Sequence, residues 1–268
     1  MAASDIGGTL VQGIRPIPPF TAAVLNRLVE EIPIALITGY NYKTTLTFTG
    51  NLDERILLMP QNGTLCIKEN QLVWEYRIPV PEARQLAAYL HENNLPVIVY
   101  KGRNGDFKNY YFSHNEIPSL SYGFERLPSI DYYEDITGIS TLVPDEAARE
   151  VRAKIQSIVG ERFTVIYSRG GKDSWLEICH AEVRKDLALK RLCDELSIPL
   201  ADTLYFGDNF NDLEALRLVG YPVLVDNAAP ELKVEFNTII PPVQSEGAAH
   251  YLNDLYNLRV VQPRAVET

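Results

Sequence analysis

Two short stretches of this chain place carboxylates where a buried strand would end. Asp5 follows a short apolar opening and precedes a glycine turn in SDIGGTLV (residues 4–11). Asp208 and Asp212 stand around the change from an apolar run to a helical pattern in GDNFND (207–212). In an open parallel sheet, ligands collect at the carboxyl ends of the strands, where such side chains meet. Mg²⁺ favours this kind of site, because it binds one or two carboxylates together with water and phosphate oxygens.

Other polar groups would complete a phosphate site at the same edge. Thr38 and Gly39 end a second apolar run, and Lys185 begins a helical pattern. Taken alone, a Thr-Gly pair is usually a turn, and a lysine at a helix start is usually solvated. Taken together, these groups predict a site in which Asp5 attacks phosphorus to form an aspartyl-phosphate. Lys185, Thr38 and the backbone amides of the Gly8 loop would neutralise the phosphoryl oxygens.

The elements that would position these groups alternate between strand and helix at both ends of the chain. Short apolar runs at 32–38 and 202–208 are typical of buried strands. Amphipathic spacing predicts helices at 21–31, 184–196 and 211–219. Strand–helix–strand order predicts an α/β fold with a parallel sheet flanked by helices.

The stretch from 81 to 181 has a different pattern. Helical spacing predicts two helices there, at 81–94 and 144–159. Alternating or apolar runs predict strands at 97–102, 109–114, 162–168 and 174–182, and an irregular aromatic segment occupies 121–138. These elements predict an α+β domain with a mostly antiparallel sheet, inserted into a core made of residues 1–80 and 182–268. The turn at 169–173 offers Arg169 and Lys172 as candidate contacts for an anionic substrate, although an exposed hairpin with solvated charges is the commoner explanation.

Composition and charge exclude several classes of protein. The 268 residues are 46% hydrophobic, which is enough for a packed core. A formal net charge of -10 disfavours nucleic acid as a partner, because binding to the phosphate backbone relies on a basic surface. No signal-peptide pattern and no apolar run long enough for a membrane span are present. Three cysteines without CxxC spacing fit a reducing compartment, so we expect a cytoplasmic protein that does not bind a membrane.

The motif order of the chain resembles the haloacid dehalogenase superfamily, and within it the Cof-like, type IIB phosphatases with a large inserted cap. The matching blocks, in the family's order, are DIGGT, ITG, NGT (62–64), RKDLALKRL, GDNFND, VDNAAPELK (225–233) and SEG (245–247). They cover nearly the whole chain, and the insertion falls where that family carries its cap. The resemblance implies a Rossmann-like core with an α+β cap. It also implies a Mg²⁺-dependent phosphatase that acts on a small phosphorylated metabolite such as a sugar phosphate.

The resemblance further implies a role for each candidate site residue. Catalysis would rest on Asp5 as the nucleophile, with Thr38 and Lys185. Phosphate would be bound by Gly8, Thr38, Gly39, Lys185 and Asn211. The ligands of Mg²⁺ would be Asp5, Asp208, Asp212 and the backbone carbonyl of Gly7.

Two positions depart from the family's pattern. The family motif DxDGT carries a second aspartate, which protonates the leaving oxygen and then activates water, and Gly7 stands in its place. Acid–base catalysis of this kind is worth about 10² to 10⁴ in rate, so its loss would slow turnover while leaving metal and phosphate binding nearly intact. Tyr40 follows the Thr-Gly pair, where relatives often have arginine, and this removes a positive charge near the pocket.

These departures leave three functions open. The favoured one is a phosphatase with a reduced rate or with a substituted acid. His114, His180 and Glu182 are candidates for that acid, but residues of this kind in or beside the insertion are more often structural. The second is a non-catalytic relative that keeps the Mg²⁺ and phosphate pocket for sensing or for binding a partner. The third is a phosphotransferase, or another reaction whose leaving group needs no acid at position 7.

Overall fold

The apolar runs at both ends of the chain form buried strands in the computed structural model, which describes residues 1–114, 117, 124–129, 133–169 and 173–262. The strands in chain order are β1 (Ala2–Ser4), β2 (Ile34–Ile37), β3 (Leu57–Met59), β4 (Leu65–Lys68), β5 (Gln71–Glu75), β6 (Val97–Lys101), β7 (Asn109–Phe112), β8 (Glu125–Arg126), β9 (Ile136–Pro144), β10 (Phe163–Arg169), β11 (Asp173–His180), β12 (Leu204–Gly207), β13 (Tyr221–Val225) and β14 (Ile239–Ile240). The helices are α1 (Pro19–Leu28), α2 (Tyr42–Thr49), α3 (Val80–Glu92), α4 (Ala148–Val159), α5 (Lys185–Leu196), α6 (Leu213–Leu218), α7 (Pro230–Lys233) and α8 (Gly247–Leu255).

Eight of these strands form one sheet in the order β14-β13-β12-β1-β2-β3-β4-β5. The pairs from β14 to β3 are all parallel, and β4 returns antiparallel to β3. Side chains from the strands and from α1 and α8 share one apolar core, which includes Leu36, Phe206 and Leu252. The prediction of an α/β fold with a parallel sheet flanked by helices is confirmed.

By contacts, the chain divides into two units. The first comprises Met1–Tyr40, Thr44–Val73 and Lys185–Thr268, and the second comprises Asn41–Lys43 and Trp74–Arg184. The second unit holds a six-stranded sheet in the order β10-β11-β9-β6-β7-β8, which is antiparallel except for the pair β7 and β8. Helices α3 and α4 pack on this sheet through a separate apolar core.

Two predictions about the second unit need correction. Strand β9, the longest strand of its sheet, lies partly within the segment predicted as irregular, because both of its faces are buried and it carries small polar residues instead of an alternating pattern. Helix α4 begins at Ala148 and not at 144, because Pro144 is the last residue of β9 and pairs with Asp173. The candidate substrate contact Lys172 and the Arg169 side chain lie outside the described part of the structure.

A search of the described residues for a helix long and apolar enough to cross a lipid bilayer finds none.

Candidate functional site

Three neighbouring strands deliver the predicted site residues to one edge of the first sheet. Strand β1 pairs with β2 on one side and with β12 on the other, and Ser4 lies opposite both Leu36 and Phe206. Asp5 follows β1, Thr38 follows β2 and Asp208 follows β12. Because the three strands are parallel, the residues after them emerge at the same edge, as expected for ligand-binding loops of an α/β sheet.

A cluster of three carboxylates forms at this edge. Asp5, Asp208 and Asp212 each offer an oxygen, and these oxygens lie within 4.8 Å of one another. Asp212 is fully buried, and Asp5 is 5% exposed. Three carboxylates this close repel one another unless cations lie between them.

Lys185 supplies one such positive charge from inside the protein. It is the first residue of α5, and its side chain is buried. Its Nζ donates hydrogen bonds to Oδ1 of Asp5 at 2.6 Å and to Oδ1 of Asp212 at 2.7 Å. Charge-assisted hydrogen bonds of this length are strong, so the ammonium fixes the position of the Asp5 carboxylate.

Asp212 organises the loop that precedes it. Its Oδ1 also accepts a hydrogen bond from the Tyr205 hydroxyl at 2.7 Å. Its Oδ2 accepts from the backbone N–H groups of Asp208 at 3.2 Å and Asn209 at 3.1 Å. Both oxygens of Asp212 are therefore engaged, and this carboxylate holds the strand-to-helix turn that presents Asp208.

The raised pKa values of Asp5 and Asp208 indicate that added positive charge, such as a divalent cation, would stabilise the ionised cluster. Burial raises the pKa of Asp5 to about 6, in spite of the Lys185 ammonium beside it. Burial, followed by the charges of Asp5 and Asp212, raises the pKa of Asp208 to about 8. Burial lowers the pKa of Lys185, but the charges of Asp212 and Asp5 outweigh it and the net pKa is raised.

One carboxylate oxygen of the cluster could bind a cation. Oδ2 of Asp5 is buried and has no hydrogen-bond partner among the described residues. A buried carboxylate oxygen without a donor is costly, since it has lost its hydration. A hard cation is the partner that carboxylate oxygens bind well, so the residues present fit a Mg²⁺ ion.

The backbone of the Gly8 loop lies directly against the Asp208 carboxylate. Gly8 has a φ of +88°, and a Cβ at this position would lie 2.2 Å from Oδ2 of Asp208. Asn227 donates from Nδ2 to the Gly8 carbonyl at 2.7 Å and accepts from the Val243 N–H, which ties this loop to the far end of the chain. Thr9 donates from Oγ1 to Oδ1 of Asp208 at 3.5 Å. Only glycine satisfies both the backbone angle and the space at position 8.

The polar residues beyond β2 form a second set of contacts. Thr38 is buried, and its Oγ1 accepts from the Tyr40 N–H at 3.3 Å. The Thr38 carbonyl accepts from the Asn62 N–H at 2.7 Å. Asn211 donates from Nδ2 to Oδ1 of Asn62 at 3.3 Å, so the loops after β2, β3 and β12 are joined by hydrogen bonds.

The structure thus brings Asp5, Asp208, Asp212 and Lys185 into direct proximity and ties Gly8 and Asn211 to the same edge. Sequence reasoning assigned no role to the residues that hold them, Tyr205, Asn62 and Asn227. Asn62 and Asn227 lie inside the blocks NGT and VDNAAPELK. These blocks match the family's motif order, but nothing in their sequence indicated what the two asparagines do. Tyr205 had no such signal, because an aromatic residue in an apolar run is typical of a core.

The candidate replacements for the missing acid have contacts of their own in the second unit. His114 stacks on His91 at 5.3 Å between ring centroids, and His180 stacks on Tyr76 at 5.2 Å. The backbone N–H of Glu182 donates to Nδ1 of His180 at 3.3 Å. These contacts are of the structural kind that the sequence favoured for them.

Comparison with known proteins identifies a family and several similar proteins. A family model described as haloacid dehalogenase-like hydrolase matches residues 2–252. An HMP-PP phosphatase of Yersinia pestis (strain Pestoides F) is 25% identical over 261 residues, which cover 94% of this chain and 94% of that protein. The crystal structure of a Streptococcus mutans UA159 protein has a TM-score of 0.84 at 18% identity and covers 96% of this chain and 98% of its own. The haloacid dehalogenase subclass IIB sugar phosphatase BT4131 has a TM-score of 0.74 at 17% identity, with coverage of 96% and 98%.

The structural neighbours share the fold that the motif order predicts. The family model spans both the core strands and the inserted sheet, so it covers far more than half of the chain. The predictions of the superfamily and of a hydrolase are confirmed, and the chain belongs to the haloacid dehalogenase-like hydrolase family.

Proposed function

We propose that this chain is a Mg²⁺-dependent phosphatase that hydrolyses a small phosphomonoester, such as a sugar phosphate, through an aspartyl-phosphate at Asp5. The substrate class agrees with the names of two similar proteins, the HMP-PP phosphatase of Yersinia pestis and the sugar phosphatase BT4131. The observation that carries the proposal is the buried Asp5 carboxylate, which has Lys185 on one oxygen and, among the described residues, no partner on the other.

Each residue of the site has a physical task in this proposal. The Lys185 ammonium orients Asp5 and offsets the negative charge that a phosphoryl group brings. Thr38, Gly39, Asn211 and the Gly8 loop would donate to the phosphoryl oxygens, because hydroxyl, amide and backbone N–H groups end at this edge. The cation would be held by Asp5 and Asp208, with the Gly7 carbonyl and with Asp212 as the third carboxylate of the cluster. Bound there, Mg²⁺ would supply positive charge to the transferring phosphoryl group.

The proposal is tested by phosphate release from a panel of sugar phosphates with Mg²⁺ or with EDTA. The natural chain should release phosphate only with Mg²⁺. Asp5→Asn removes the nucleophile with little change in shape, so it should lower the rate by at least about 10³-fold. The matched control is Asp194→Asn, since Asp194 lies exposed on α5 and pairs with Lys190 at the surface.

A separate binding measurement tests the pocket without turnover. Beryllium fluoride, a mimic of the phosphoryl group on aspartate, should raise the melting temperature of the natural chain in the presence of Mg²⁺ and leave Asp5→Asn unchanged. Phosphate release that survives in Asp5→Asn would contradict the aspartyl-phosphate route.

The absence of a side chain at position 7 favours one alternative. A chain that keeps the carboxylate cluster and Lys185 but lacks the family's acid would bind Mg²⁺ and a phosphorylated ligand without turning it over. This alternative predicts beryllium fluoride binding together with no phosphate release from any substrate of the panel. The two measurements above therefore separate a phosphatase from a binding protein.

A further inference from the structure

The backbone at Gly7 does not require glycine. Its φ lies outside the left-handed region, unlike that of Gly8. A Cβ built on Gly7 would lie 2.7 Å from Cε2 of Tyr40, 3.4 Å from its hydroxyl oxygen and 3.5 Å from Cζ. The first of these distances is shorter than carbon atoms tolerate without movement. In this structure, the Tyr40 ring therefore occupies the space that a side chain at position 7 would need.

The Tyr40 ring has a contact with the core, although the residue is 36% exposed. It packs edge-to-face with Phe48, with ring centroids 4.9 Å apart and an interplanar angle of 66°. Its backbone is fixed as well, because the Tyr40 carbonyl accepts from the Gln61 N–H at 2.9 Å and its own N–H donates to Thr38. Phe48 is fully buried, so the ring rests on the core of the first unit.

The Tyr40 hydroxyl is available as a donor beside the nucleophile. Within the described residues it makes no hydrogen bond to another side chain or to the backbone. A phenol with its ordinary pKa of about 10 keeps its proton at neutral pH, so the hydroxyl can donate a hydrogen bond. It lies 3.4 Å from where the Cβ of a residue at position 7 would be, and position 7 is where the family carries its second aspartate.

We propose that Tyr40 is a catalytic residue that donates a hydrogen bond from its phenol hydroxyl to the leaving-group oxygen of the substrate, in the space that Gly7 leaves open. This inference rests on the proposed phosphatase function. In the step it concerns, an Asp5 oxygen forms a bond to phosphorus and the bond from phosphorus to the leaving oxygen breaks. The leaving oxygen keeps the electron pair, is stabilised by the Tyr40 O–H, and takes a proton from solvent water, while Tyr40 retains its own. One preorganised donor to a developing oxyanion is worth about 10² to 10³ in rate.

The dependence on the leaving group distinguishes this role from a structural one. Tyr40→Phe keeps the ring and removes only the hydroxyl. It should lower kcat/KM about 10²-fold for the best alkyl phosphate of the sugar-phosphate panel. It should lower kcat/KM less than about threefold for p-nitrophenyl phosphate, because p-nitrophenolate needs little help to leave. Tyr221→Phe is the matched control, since this exposed tyrosine lies on β13 away from the site and should change neither value.

An equal fall on both substrates, or no fall on either, would overturn the role of Tyr40. The proposed phosphatase function fails in a different way, because the natural chain would then release no phosphate and Asp5→Asn would have nothing to lower.

The steric conflict between a side chain at position 7 and the Tyr40 ring can be tested separately. Gly7→Asp alone should not accelerate phosphate release, because the new side chain collides with the Tyr40 ring. Gly7→Asp combined with Tyr40→Ala should be at least about tenfold faster than Gly7→Asp, because an acid at position 7 then has room to act. Circular dichroism and beryllium fluoride binding check that each variant keeps a folded pocket. A large acceleration by Gly7→Asp alone would overturn the steric argument.

Discussion

At the scale of single residues, Lys185 determines how the carboxylates can be buried together. An ammonium removed from water loses several kcal/mol of hydration, and two short hydrogen bonds to Asp5 and Asp212 offset that loss. The Lys185 ammonium also favours the ionised form of Asp5 in the interior. The lysine is therefore a structural part of the fold as well as a candidate catalytic group.

Replacing this lysine should cost stability even without ligand. Lys185→Met keeps the length of the side chain but leaves Asp5 and Asp212 without their cation, so the free energy of unfolding should fall by about 3 to 5 kcal/mol. The matched control is Lys190→Met on the same helix, where an exposed pair with Asp194 at 3.0 Å is worth only about 0.3 to 0.5 kcal/mol. Urea unfolding in EDTA at neutral pH measures both. Equal losses would show that the buried contacts contribute no more than surface ones.

Residue types and spacing were enough to predict that Asp5, Asp208 and Asp212 lie together at one edge of the sheet. They could not predict what each side chain touches, because a lysine at a helix start is usually solvated. The collision between a side chain at position 7 and Tyr40 was hidden for the same reason: the two residues follow different strands, and only the packing of β1 beside β2 brings them together.

At the scale of elements, the loop after β1 depends on two glycines with positive φ but very different surroundings. Gly8, at +88°, lies against the Asp208 carboxylate, whereas at Gly13, with a φ of +72°, a Cβ would meet no described atom within 4 Å. Substitution at either position strains the backbone, but only at Gly8 does it also disturb the cluster.

The pair of substitutions separates these two effects. Gly13→Ala should lower the free energy of unfolding by about 1 to 2 kcal/mol, the cost of a left-handed residue with a Cβ. Gly8→Ala should cost about 1 to 3 kcal/mol more, because Asp208 has to move. Calorimetry should also show Mg²⁺ affinity lost in Gly8→Ala and kept in Gly13→Ala. The idea is wrong if the two variants bind Mg²⁺ equally well.

The elements themselves were predictable to different degrees. Runs with an apolar centre predicted β2 and β12 to within two residues, because a strand buried on both faces of a parallel sheet has a nearly continuous apolar sequence. Strand β9 was not predicted because ITGISTLVP buries glycine, serine and threonine. With these small residues at buried positions, the sequence shows neither the hydrophobic period of a helix nor that of a strand. The family model and the structural neighbours confirm the architecture in which these elements are arranged.

At the scale of the whole molecule, the carboxylate cluster couples folding to protons and, under the proposed function, to Mg²⁺. The pKa of Asp208 is raised from 3.8 to about 8 in the folded chain, so the folded state binds more protons than the unfolded state between those pH values. The free energy of unfolding of the metal-free protein therefore falls as pH rises through this window, by at most about 1.4 kcal/mol per pH unit. A cation that binds only the folded state acts in the opposite direction.

We therefore expect the pH dependence of stability to change with Mg²⁺. In EDTA, Asp208→Asn should become more stable than the natural chain as pH rises from about 5 toward about 9, because asparagine carries no charge to bury. With Mg²⁺ at about 100 times its dissociation constant, the natural chain should gain about 2.7 kcal/mol, and Asp208→Asn should gain much less. Urea unfolding across the pH series gives both curves. A natural chain and variant with parallel curves in EDTA would rule out Asp208 as the titrating group.

The long sequence separation inside the site also orders its appearance during synthesis. Lys185 lies 180 residues beyond Asp5, and Asp208 and Asp212 come later still. At ribosomal rates of about 5 to 20 residues per second, Asp5 is synthesised about 10 to 40 s before any of these three polar partners exists. During that interval β1 has β2 to pair with but not β12. Under the proposed function, the nascent chain can therefore not react until its last third is made, because Lys185, Asp208 and Asp212 all lie there.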